Sequence, residues 1–179
     1  MNWPVPRERL SSLQALILDC DGVLTPGSLI YDETGKRLLS FSARDGAGIS
    51  LLARSGFPIA ILSGRPVDIA WHRHRELGVR YFISDCQEKR QGLIDLAHKL
   101  KVDYAHCAFV GDDLPDLAAF SVAGLCIAVA DAAYEVRERA DWITERTGGC
   151  GAVREVCETI LKAQGKWQAI LDALNTTHV

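Results

Sequence analysis

Five short apolar runs recur along the chain: Leu13 to Asp19, Pro58 to Leu62, Tyr81 to Ile83, Cys107 to Val110 and Leu125 to Val129. Runs of this length, apolar without alternation, are how strands buried on both faces of a sheet look. The intervals between them carry helical spacing. Ile49, Leu52 and Ala53 mark a first helix, stopped by Gly56 and Pro58, and Ile69 to Leu77 marks a second, ended by Gly78. Leu93, Leu96, Ala97 and Leu100 mark a third, and Leu114 to Phe120 a short fourth. Strands alternating with helices imply βαβ units, and right-handed crossovers then place helices on both faces of a parallel sheet. The expected fold is α/β, a Rossmann-like three-layer α/β/α arrangement around a central parallel sheet.

Two segments depart from the alternation. Ser28 to Tyr31 and Arg37 to Phe41 flank the turn formers Asp32 to Lys36, which predicts a protruding β-hairpin flap over about residues 26–43. Gly151 to about Leu174 reads as a C-terminal helix and tail, with Val153, Val156, Cys157, Ile160 and Leu161 on one stripe; Gly165 allows two helices instead.

At 179 residues, 48% hydrophobic and 24% charged, the chain is expected to form a single domain over 1–179 with its own core. The formal charge is −3, and Lys and Arg are scattered, so neither a nucleic-acid face nor a membrane surface is indicated. No apolar run approaches the ~20 residues of a membrane span. Met1 to Leu10 has no apolar core of a signal peptide, so a cytoplasmic location is expected. The six cysteines lack any C-x-x-C spacing and read as reduced, mostly buried residues. His72 and His74 stand two apart on a helix and point in different directions, which argues against a shared metal. Trp167 reads as packing.

Ligands of open α/β sheets bind beyond the carboxyl ends of the strands. Four such ends carry polar groups here: Asp19-Cys20-Asp21-Gly22, Ser63-Gly64-Arg65, Lys89, and Gly111-Asp112-Asp113-Leu114-Pro115-Asp116. Two carboxylates at the tip of a buried strand repel each other and are costly to desolvate, and a hard cation relieves both problems. Few protein carboxylates with oxygen ligands suit magnesium, and Asp112 and Asp116 add charge from another strand end. Ser63, as the N-cap of the following helix, and the Gly64 backbone can hold phosphoryl oxygens. Lys89 can clamp phosphate and offset the acids.

These four pieces, in this order, resemble the haloacid dehalogenase superfamily of phosphohydrolases. The resemblance implies catalytic Asp19 as the nucleophile that forms an aspartyl-phosphate and catalytic Asp21 as the acid/base. It implies phosphate binding by Ser63, Gly64 and Lys89. Magnesium would be held by Asp19, Asp112 and the main-chain carbonyl of Asp21, with Asp116 and Asp113 in support. Only about 40 residues separate Asp21 from Ser63, so no cap domain fits there.

Within the superfamily, Asp21 to Thr25 (D-G-V-L-T), Phe41 to Ile49, Ser63 to Arg65, Gly111 to Asp116 and Gly151 to Val156 resemble the capless 3-deoxy-D-manno-octulosonate 8-phosphate phosphatases. That resemblance implies a small phosphorylated sugar acid as substrate, a role in lipopolysaccharide biosynthesis, and a homotetramer whose flaps share active sites. Arg65 suits a substrate carboxylate, since related nonulosonate phosphatases tend to carry Glu there. Arg44 and Asp45 are further candidates for substrate contact, with an ion pair and helix N-cap as the other reading. Cys150 stands where the family usually has Arg, and Ser63 where it has Thr. A nine-carbon keto acid 9-phosphate, another sugar phosphate, or a non-catalytic oligomerisation module remain as alternatives.

Overall fold

The protein is described from a computed structural model covering residues 3–66 and 68–176. The ends of the expected 1–179 domain, including the last three residues of the tail, lie outside the described residues. In chain order the elements are α1 (Arg7–Ser11), β1 (Ala15–Leu18), β2 (Ile30–Tyr31), β3 (Arg37–Leu38), α2 (Ala43–Arg54), β4 (Ile59–Leu62) and α3 (Asp68–Glu76). There follow β5 (Tyr81–Ile83), α4 (Lys89–Leu100), β6 (Cys107–Gly111), a 3₁₀ turn at Leu114–Asp116 and α5 (Leu117–Phe120). The chain continues through β7 (Leu125–Ala128), α6 (Tyr134–Arg137), β8 (Trp142–Ile143), α7 (Ala152–Ala163) and α8 (Trp167–Thr176).

Six strands form one parallel sheet in the order β5-β4-β1-β6-β7-β8, with Leu18 opposite Ile61 on one side and Val110 on the other. All residues of β1, β4, β6 and β7 are buried, as expected for strands covered on both faces. From β1 the chain moves outward to β4 and β5, then returns to fill the other side. Right-handed crossovers therefore put α2 and α3 on one face and α4 and α5 on the other. The switch lies beside β1, where such sheets open a crevice.

On the first face α2 packs against α7. A Cβ at Gly48 would come within 2.9 Å of the Arg154 Cα, so the two helices approach as closely as a glycine permits. The N-cap of α7 is Gly151, which has no side chain to offer. Asp45 supplies one from α2: its carboxylate accepts the Gly151 and Arg154 N–H groups at 3.1 and 2.8 Å. Asp45 is thus buried and committed to structure, which corrects its expected place among substrate-binding residues. The N-cap of its own helix is Ser42.

Several boundaries differ from expectation. The fourth helix starts as a 3₁₀ turn because Pro115 sits in its first turn and Asp113 and Asp116 form a capping box. The C-terminal segment is two helices, broken at Gly165 with φ +71°. The flap strands pair over only two residues each, Ile30 opposite Leu38 and Tyr31 opposite Arg37. Their turn is tied by Asp32, whose carboxylate accepts from the Thr34 and Lys36 N–H groups. β8, α1 and α6 are too short for any period to announce them.

His74 is fully buried among Phe41 and Phe82, both 5.7 Å away between ring centroids, and neither ring nitrogen has a hydrogen-bond partner. Burial, and secondarily Arg73, pushes its pKa down from 6.5 to about 4. Protonation thus favours the unfolded chain, so stability is full above the unfolded pKa and falls as pH drops from there toward about 4. A shift of this size corresponds to on the order of 3 kcal/mol. A His74→Phe variant is expected to lack that slope: urea melts at pH 7 and pH 4.5 should differ less for the variant than for the parent. Equal slopes would remove His74 as the cause.

Candidate active site

Four strand ends converge on the crevice beside β1. Asp19 directly follows β1, and its N–H donates to the Val110 carbonyl at 3.0 Å, so the sheet ladder itself fixes the residue. Asp19 is 5% exposed, and its carboxylate accepts the Lys89 ammonium on Oδ1 at 2.8 Å. Lys89 is the first residue of α4 and also pairs with Asp116. Burial, then the Asp116 charge, raises the Asp19 pKa to about 7, with Lys89 opposing. Burial alone would lower the Lys89 pKa, but Asp19 and Asp116 outweigh it and leave the ammonium held more firmly than usual.

Asp116 is 1% exposed and uses both oxygens, Oδ1 toward Lys89 and Oδ2 toward the Asp112 and Asp113 N–H groups at 2.9 and 3.2 Å. It braces the loop after β6. Asp113 is exposed and accepts from the Leu114 N–H at 2.8 Å, capping the 3₁₀ turn. Asp112 presses its carboxylate against Gly22, where a Cβ would stand 2.0 Å from Oδ2. Only glycine admits that approach, and its φ of +87° suits no other residue well. Burial, then Asp19 and Asp116, raises the Asp112 pKa to about 8. Ligand atoms of Asp19, Asp112 and Asp116 all lie within 4.8 Å of one another. Three clustered carboxylates, two of them reluctant to ionise, fit a hard divalent cation that would restore their charge.

Ser63 follows β4, 1% exposed, with its N–H donating to the Ile83 carbonyl at 2.8 Å. Its hydroxyl accepts the Arg65 N–H and donates to the Arg65 carbonyl, both at 3.2 Å. The expected helix N-cap is therefore a local loop closure, since α3 begins only at Asp68. The Gly64 Cα faces Lys89, whose Cε would lie 3.7 Å from an added Cβ, so serine, glycine and lysine are brought together.

Asp21 is flanked by two guanidinium groups. Arg65, half exposed, places Nε 3.9 Å from Oδ2, and Arg37, from the flap, pairs with Oδ1. Arg37 was invisible to sequence reasoning, which read it only as a flap-strand residue. Its role depends on how the hairpin folds back, and no local spacing reports that. Arg44 is exposed and lines a separate concavity of about 260 Å³ with Arg146, Cys150 and Arg154, so it does not join the acidic cluster. The glycines before Cys150 have a packing reason: a Cβ at Gly148 would lie 1.6 Å from the Gly22 carbonyl oxygen. Trp167 packs under Arg154 and Lys162. Among the described residues all six cysteines are free, and no helix is long and apolar enough to cross a membrane.

Residues 82–156 match the model of a family described as haloacid dehalogenase-like hydrolase. The 3-deoxy-D-manno-octulosonate 8-phosphate phosphatase of Haemophilus influenzae is 40% identical over 160 residues, 89% of each chain. The crystal structure of the enzyme of that name from Moraxella catarrhalis, in complex with magnesium, phosphate and KDO, superposes with a TM-score of 0.90 at 39% identity. That match covers 94% of this chain and 97% of the other. The cobalt-bound Haemophilus influenzae phosphatase gives 0.86 at 40% identity, covering 90% and 94%. With four strand-end motifs in place and this identity over most of its length, the chain belongs to the haloacid dehalogenase-like hydrolases, in the family of the 3-deoxy-D-manno-octulosonate 8-phosphate phosphatases.

Proposed function

We propose that the protein is a magnesium-dependent phosphomonoesterase that hydrolyses 3-deoxy-D-manno-octulosonate 8-phosphate to the free sugar acid and phosphate. The observation that carries this reading is Asp19, buried at the switch-point strand end against Lys89 and beside Asp112, Asp116 and Asp21. Asp19 attacks phosphorus, the ester P–O bond breaks, and Asp21 gives its proton to the leaving oxygen. Asp21 then takes a proton from water, which attacks the aspartyl-phosphate, breaks the Asp19–phosphorus bond and releases phosphate. Ser63, the Gly64 backbone and Lys89 hold the phosphoryl oxygens. Asp19, Asp112 and the Asp21 main-chain carbonyl would hold magnesium, which supplies neutralising charge at the phosphoryl group.

A capless crevice needs covering, and the flap exposes Leu29, Ile30, Tyr31 and Leu38. Such a concentration of apolar side chains suits a protein contact, and supports a homotetramer in which flaps meet neighbouring subunits. The reading places the enzyme in the cytoplasm, in lipopolysaccharide biosynthesis.

Steady-state kcat/KM with magnesium, over eight- and nine-carbon keto acid phosphates and glucose 6-phosphate, tests the substrate. The octulosonate is expected to lead by at least about tenfold over glucose 6-phosphate. Parity would sink the assignment, and a lead for the nine-carbon ester would move it to nonulosonates. Size-exclusion chromatography of the same preparation should give four times the chain mass.

A further inference from the structure

The Arg37–Asp21 pair joins the flap to the chemistry. The hairpin shares no strand pairing with the six-stranded sheet, and among the described residues this pair is its one ion pair to the rest of the chain. Both side chains are largely covered, Arg37 17% and Asp21 19% exposed. Arg37 Nε is buried without a hydrogen-bond partner, and so is Asp21 Oδ2. The guanidinium therefore has unused donor capacity, and the carboxylate it holds is the one that must exchange a proton with the leaving oxygen.

A covered charge cannot be left without a partner at low cost. When the Asp21 side chain turns to the leaving oxygen as the acid, Arg37 loses its anion. A substrate bearing a second oxyanion can replace it, and a guanidinium fork matches a carboxylate bidentately. A phosphate ester with no such group offers Arg37 nothing in exchange. Resting on the functional reading above, we propose that Arg37 is a specificity-determining residue, paired with Asp21 until substrate binds and then transferred to the substrate's carboxylate. The flap thereby selects anionic sugar phosphates, and its own chain's arginine takes part whatever neighbouring subunits add.

The test compares Arg37→Ala and Arg37→Lys with the parent on two substrates, 3-deoxy-D-manno-octulosonate 8-phosphate and phenyl phosphate, both with magnesium. For Arg37→Ala, kcat/KM on the sugar acid should fall about ten- to a hundredfold, mostly through KM, as expected for losing one charged hydrogen bond. On phenyl phosphate it should rise about two- to fivefold, because the closer of the two ion pairs on Asp21 no longer has to be broken first, Arg65 alone remaining at 3.9 Å. Arg37→Lys keeps the charge without the fork and should recover part of the sugar-acid KM. A parallel fall on both substrates would make Arg37 a flap anchor only and overturn the inference, as would an unchanged sugar-acid KM. A parent protein inactive on both esters would overturn the functional reading, and the inference with it.

Discussion

Replacing Asp19 with Asn is expected to lower kcat by at least about four decades while leaving the protein folded. The amide lacks the anionic oxygen that attacks phosphorus, and no other carboxylate can take over. Asp116 has both oxygens committed to Lys89 and the loop amides, and Asp112 is pressed against Gly22. The amide oxygen can still accept the Lys89 ammonium, so the brace around it survives. Removing a buried acid whose pKa is raised to about 7 also relieves a native-state cost. The metal-free variant should therefore melt at or above the parent temperature at pH 8. Turnover and calorimetry check both parts. Magnesium-dependent turnover persisting in this variant would eliminate Asp19 as nucleophile, and an inactive parent would favour the oligomerisation-module reading.

Replacing Lys89 with Met has the largest expected effect on stability, about 3–5 kcal/mol at pH 8 without magnesium. Lys89 is buried against Asp19 and Asp116, and a thioether of similar length leaves their charges uncompensated. The loss depends on pH with a definite sign. Asp19 and Asp112 have native pKa values raised from 3.8 to about 7 and about 8. Their contribution is most favourable below the unfolded pKa and is lost as pH rises through the native values. The variant should therefore lie closer to the parent at pH 5 than at pH 8, where it is far weaker. Magnesium should restore part of the difference, since its charge replaces the ammonium's. Thermal melts at the two pH values, with magnesium and with chelator, measure this. A loss independent of both pH and magnesium would mean that Lys89 matters through packing alone.

Much of this architecture was legible in the chain. The five expected strands follow from uninterrupted apolar runs such as Ala15–Leu18 and Cys107–Gly111, four of them buried throughout and the fifth, β5, partly exposed at the sheet edge, and the flap follows from its cluster of turn formers. Trp142–Ile143 was not legible, because a two-residue edge strand exists only where β7 offers it a ladder. The same holds for the site. Asp19, Asp21, Ser63, Lys89, Asp112 and Asp116 meet because each occupies a strand end or helix start, and parallel topology gathers such ends on one side. Arg44 and Asp45 did not join them. Their neighbour Gly48 draws α2 onto α7, and Asp45 turns to cap a helix whose own N-cap is a glycine.

The sequence by itself determined the parallel sheet and the chemistry at its carboxyl edge, because apolar period and strand-end composition are local and survive any packing. Only the tertiary structure decided which charges face one another across the crevice. Arg37 and Asp21 are brought together by a hairpin folding back over a loop, and Asp45 is taken from the site by a neighbouring helix. Both outcomes are long-range contacts between covered charges and their partners, set by the cost of leaving a buried charge or helix end unsatisfied.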